Sequence, residues 1–91
     1  MVRVQLEVTP SGVADGPWAY MAGRGMTFAG NVARIDIPRS DKIQSLQLTF
    51  TGNTTSAKVD YKLFLDGVEK KQGTARIYHG NVGALTIRFF L

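Results

Sequence analysis

The residues best suited to chemistry in this 91-residue chain are aromatic rather than catalytic. Trp18 and Tyr20 stand two apart in GPWAYMAGRGMTFAG, residues 16–30, where Arg24 is the only charge. Aromatic side chains placed this way can anchor a protein partner or offer a flat face to a sugar ring. The acid–base inventory is thin by comparison. His79 is the only histidine and there is no cysteine, which removes two-histidine metal centres, thiolate zinc sites and a serine–histidine relay with a spare base. His79 lies in YHGN, a sequence expected to form a solvated turn.

The other polar motifs resolve into turns and outer faces. Asp15, Asp36, Asp41, Asp60, Asp66 and Glu69 never form the alternating acidic run with its glycine and closing glutamate that a calcium loop needs. Gly23-Arg24-Gly25 is not followed by the third glycine of a dinucleotide fingerprint or the Gly-Lys-Ser/Thr ending of a phosphate loop. Asn53-Thr54-Thr55 matches a glycosylation sequon, but a polar turn accounts for it. The expectation is a chain without catalysis, cofactor or tightly bound metal.

Composition sets the frame for these residues. With 44% hydrophobic and 20% charged residues, the chain can fill one core and is too apolar for disorder. A domain of this size buries roughly 60% of the surface its unfolded form exposes. Net charge is +4, but the basic residues are scattered and Lys70-Lys71 is the only adjacent pair. Nucleic-acid binding, which draws on clustered charge, is therefore disfavoured. The absence of cysteine fits a reducing compartment. No basic-plus-apolar leader is visible and no apolar run reaches membrane-helix length, so cytosolic synthesis without a membrane partner is expected.

The elements that must position the aromatics show period-two alternation. Val2, Val4, Leu6 and Val8 share one face of VRVQLEV; Ala33, Ile35 and Ile37 do so in VARIDI; Leu46, Leu48 and Phe50 do so in SLQLTFT. The pattern returns in AKVDYKLFL, with Ala57, Val59, Tyr61, Leu63 and Leu65, and in ALTIRFFL, with Leu85, Ile87, Phe89 and Leu91. Turn residues separate these runs, and Asp66-Gly67 is the strongest hairpin signal. The expected fold is all-β: one antiparallel β-sandwich domain over residues 1–91, Ig-like or jelly-roll-like with Greek-key connections, of about seven to nine short strands. Val4, Leu6, Ile35, Leu48, Phe50, Val59, Leu63, Ile87 and Phe89 are its expected core. A two-residue turn at Asp66-Gly67 would pair Leu65 with Val68 and turn Lys70 and Gln72 inward, making residues 68–72 a short edge strand and sending 74–78 to another pairing.

In the aromatic segment, a tight turn at Gly23-Arg24 would gather Trp18, Tyr20, Met26 and Phe28 on one face. That face either caps the core or serves as an interaction hairpin. Two further aromatics, Phe64 and Phe90, fall on the polar faces of their strands, and Ile43 is out of phase with Leu46 and Leu48. These side chains either form an association patch or a minor second core. The expected partner-binding set is therefore Trp18, Tyr20, Met26, Phe28, Phe64 and Phe90. Two roles follow. One is a non-enzymatic structural subunit of a larger assembly, such as a virion decoration (cement) protein, engaging a protein partner or itself. The other is a carbohydrate-binding module in which Trp18 or Tyr20 stacks on a sugar beside Asn31 and Asn81. A single-strand binder on an OB-like sheet would need basic residues alternating with aromatics, and only Lys62 with Phe64 and Arg88 with Phe90 suggest it.

Overall fold

Alternation along the strands creates one apolar face per strand, and the fold follows from where those faces meet. A computed structural model describes all of residues 1–91. It contains nine antiparallel strands and no helix: β1 (Val2–Ser11), β2 (Val13–Met21), β3 (Arg24–Gly25), β4 (Thr27–Ala29), β5 (Val32–Ile37), β6 (Gln44–Gly52), β7 (Lys58–Leu65), β8 (Val68–His79) and β9 (Val82–Phe89). They form one sheet in the order β3-β2-β6-β9-β8-β7-β1-β5-β4. β7, β8 and β9 follow one another by hairpins and β6 returns beside β9, which is the Greek-key arrangement.

The two layers of the expected sandwich are present, but strands run continuously from one into the other, so the sheet is nearly a closed barrel. β1 pairs with β5 and β7, then the chain bends at Gly12 (φ +69°) and β2 pairs with β6 and β3. Asn53 N–H donates to Gly12 O at 2.8 Å, fixing that corner. A second corner lies at Met26. β3 belongs with β2 and β4 with β5, and Met26 between them donates its N–H to Ala19 O at 2.7 Å. The third is β8, which pairs with β7 as far as Arg76 and with β9 through Ile77 and His79. Strands that change layer at bends are the usual way to make such corners.

Twenty buried hydrophobic residues form a single core, with Leu6, Leu46, Leu48, Phe50, Leu63 and Ile87 among its best-sealed large side chains. Eight of the nine expected core residues are buried; Ile35 is half-buried and packs against the cluster. Gly83 shows how closely the strands approach. Phe50 lies over it, and a side chain there would collide with the Phe50 ring. Tyr61 closes the core at the β7–β8 pair, its ring over Gly73, where a Cβ would stand 3.0 Å from the ring and the hydroxyl.

The Asp66-Gly67 turn forms as expected, with both residues at positive φ (48° and 83°) and Leu65 paired with Val68. Beyond it the expected register is corrected. A bulge between Leu63 and Phe64 pairs Leu63 with Lys71 and Tyr61 with Gly73, and Lys70 is exposed rather than turned inward. The extra residue sets Lys71 rather than Lys70 opposite Leu63, where it stays exposed, and brings Gly73 under the Tyr61 ring. Residues 68–79 are consequently one long strand, and the change of partner comes at Ile77.

Leu48→Ala should lower stability by ~2–5 kcal/mol, since it removes a fully buried side chain and leaves a cavity; denaturant unfolding measures this. Burial also raises the Tyr61 hydroxyl above its ordinary 10.0. The neutral phenol is thus favoured by folding, so its contribution is fully present below pH 10 and is lost as pH rises through the folded-state value. Tyr61→Phe should flatten that part of the alkaline loss of stability in a series of melts above pH 9.

Candidate functional site

The aromatic segment is placed by its turn. Met21 pairs with Arg24 and Tyr20 with Gly25, so the two-residue turn is Ala22-Gly23, both at positive φ (54° and 74°), and not Gly23-Arg24. Moving the turn by one residue shifts cross-strand partners by two and keeps faces, so either turn leaves Met26 on the face of Ala19 and Met21 and away from Trp18 and Tyr20. Ala19, Met21 and Met26 point into the core, each less than a tenth exposed, and Phe28 on β4 is half-buried against the same cluster. The expected common face of Trp18, Tyr20, Met26 and Phe28 is therefore corrected: only Trp18 and Tyr20 remain outside, at 45% and 48% exposure. Met26 is needed where the chain crosses between layers, and Phe28 follows it inward.

The two rows of the outer face that hold the aromatics carry no charge. Tyr20 stands opposite Gln47, which stands opposite Thr86; Trp18 stands opposite Thr49, which stands opposite Ala84. The next row places Thr51 between Asp15, an exposed carboxylate, and Val82, which is 41% exposed. Trp18 also packs against its own chain: a Cβ at Gly16 would lie 3.1 Å from its Cε3. The indole is therefore held on one side and open on the other. Tyr78, 71% exposed, lies at the bulge between Ile77 and His79, near the Val82 end of this face. Sequence alternation gave no warning of it, because the bulge interrupts the period at that residue.

Phe64 and Phe90 do not join Trp18 and Tyr20. Phe64 is half-buried on the other layer, paired with Gln5 and Glu69. Phe90 is 69% exposed but lies just past the end of β9, beyond the uncharged rows. Neither Asn31 nor Asn81 stands in the rows that hold the aromatics. The first accepts Val8 N–H at the β4–β5 turn and the second accepts Gly52 N–H at the β8–β9 turn, both through backbone oxygens.

A concavity of about 570 Å³ lies on the other layer. Glu7, Thr9, Asp60, Lys62, Gln72 and Thr74 line it. Two of its carboxylates are held: Gln5 Nε2 donates to Glu7 Oε2 at 3.1 Å, and Thr74 Oγ1 donates to Asp60 Oδ1 at 2.6 Å. No group of three or more histidine, cysteine or acidic side chains is brought together anywhere in the chain. The groove offers polar contacts and no exposed aromatic platform, so the uncharged rows across β2, β6 and β9 are the stronger candidate for recognition.

Trp18 should be readily quenched by acrylamide in the folded protein and emit at the red end of the range for folded tryptophans, since it is nearly half exposed. A blue-shifted, protected emission would contradict this placement.

Comparison with family models, with curated proteins and with solved structures gave no match for this chain.

Proposed function

We propose that this chain is a non-enzymatic interaction module, a subunit that docks into a larger assembly through the outer face of β2, β6 and β9. The observation that carries this reading is the pairing of two half-exposed aromatics with a field of Gln47, Thr49, Ala84 and Thr86. Charged residues are depleted and aromatic ones enriched at the centres of protein interfaces, and this face has that character. A rigid sheet also holds its side chains ready, so little conformational freedom is lost on docking. A decoration (cement) subunit of a virion is the specific form we favour, because such a role asks for a small self-supporting domain and one adhesive face.

A carbohydrate-binding role is the second reading. What favours it is the indole seated against Gly16 with its other side open beside hydroxyl and amide groups, a geometry suited to stacking on a sugar ring. The absence of Asn31 and Asn81 from the aromatic rows weighs against it, since the polar contacts it called on lie elsewhere.

Trp18→Ala separates these roles from a purely structural one. Removing an anchor at a protein interface should weaken assembly by ~2 kcal/mol or more while leaving the melting temperature nearly unchanged. Sedimentation of the wild-type and variant chains with the assembly partner reads the first effect and calorimetry the second. A large fall in melting temperature would show that Trp18 acts in the fold. Retention of a glycan on an array by wild type and not by the variant would favour the carbohydrate reading.

A further inference from the structure

The sheet ends at β3 and β4, which do not pair with each other, and its ladder is also interrupted between β8 and β9. Their ladder stops after Ile77 pairs with Gly83; the register continued would set Ala75 against Leu85, Gly73 against Ile87 and Lys71 against Phe89, but none of these pairs forms. Residues Ala84–Phe89 pair only with β6, and Val68–Arg76 pair only with β7. Two strands thus present unpaired backbone edges to each other across a wedge. Its width is marked by Lys71, whose Nζ donates to Arg88 O at 3.1 Å. Paired strands would stand roughly 4.8 Å apart; here a lysine side chain spans the space between them.

The two strands that border the wedge carry four basic residues. Lys70, Lys71 and Arg76 on β8 and Arg88 on β9 flank it, and none of them enters an ion pair. The one carboxylate on this stretch, Glu69, is already 4.0 Å from Lys62. Unpaired edges are normally blunted, and charged side chains, especially lysine, are a common device. Lys71 does this by occupying a single carbonyl, which leaves the remaining edge groups of both strands free for a strand that can displace it.

We propose that the β8–β9 wedge is a second binding site, which takes an extended acidic polypeptide segment by strand addition. A polypeptide strand carries alternating N–H and C=O groups and can pair with the edge of β8, the edge of β9, or both. A nucleic acid would meet the positive charge but could not satisfy a backbone edge in this way. A second copy of this chain, at net charge +4, would bring like charge to the wedge. Acidic side chains on the added strand complement Lys70, Lys71, Arg76 and Arg88, and Lys71 exchanges Arg88 O for a carboxylate.

The test uses the full chain and a fluorescein-labelled nine-residue peptide, Thr-Glu-Val-Glu-Thr-Glu-Val-Glu-Thr. Amide hydrogen exchange in residues 68–76 and 84–89 should slow by about tenfold or more when the peptide saturates the chain. Peptide anisotropy should give an affinity that weakens as salt is raised. Lys70→Glu with Lys71→Glu should abolish the effect, whereas Trp18→Ala should leave it unchanged, so failure here is distinct from failure of the proposed docking face. The proposal is overturned if millimolar peptide protects neither segment, or if the same peptide with lysine in place of glutamate binds equally well. It is also overturned if a single-stranded oligonucleotide binds the wedge more tightly than the acidic peptide does.

Discussion

A sheet with one apolar face and no helix to cover it must cover itself. Every other architectural feature here answers that constraint. The inward rows of β1, β6, β7 and β9 supply most of the sealed core, but a row can be buried only if another row faces it across about 10 Å. Curling the sheet until it meets itself is the available solution, and the bends at Gly12 and Met26, with the change of partner along β8, accomplish it. The uncharged outer rows and the open wedge are two places where this closure leaves unspent binding capacity: one in side chains, the other in backbone.

The alternating runs made most of this readable from residues alone. Period-two patterning is local, and burial of one face enforces it, so the inward rows of β1, β6 and β7 follow their expected phase. The Asp66-Gly67 turn was legible for the same reason, since positive φ at both positions is local chemistry. What escaped was decided at a distance. Ala22 takes a positive φ that its residue type does not favour, in a two-residue turn with Gly23 that pairs Met21 with Arg24. Glycine preference points one residue further along, a shift that moves cross-strand partners by two and leaves faces unchanged; what no local signal records is that the chain crosses between layers at Met26.

The same contrast governs the recognition residues. Trp18 and Tyr20 were visible because they alternate with Ala19 and Met21, two residues that a core can take. Met26 and Phe28 turn inward because the chain crosses between layers at Met26, and Tyr78 escapes the alternation at a bulge. Phe64 and Phe90 were correctly read as out of phase with the core, yet phase does not say which layer a strand joins. Phe64 belongs to the layer of β1 and β7, away from Trp18, because β7 pairs with β1. Layer assignment comes from long-range pairing, and no spacing within a strand records it.

β9 is the element on which both open features converge. Its outward side chains Ala84 and Thr86 complete the uncharged rows that begin at Trp18 and Tyr20, while its backbone forms one wall of the wedge. A strand added along that wall would extend the layer of β2, β6 and β9 by one position and continue its outer face past Thr86 and Arg88. The charged and uncharged surfaces would then adjoin across a single strand instead of being separate features of the molecule. A sheet edge and a sheet face make different demands of a partner, the first for an extended backbone and the second for shape. Their meeting on β9 means that a segment held in the wedge would help to define the surface presented to whatever docks on Trp18.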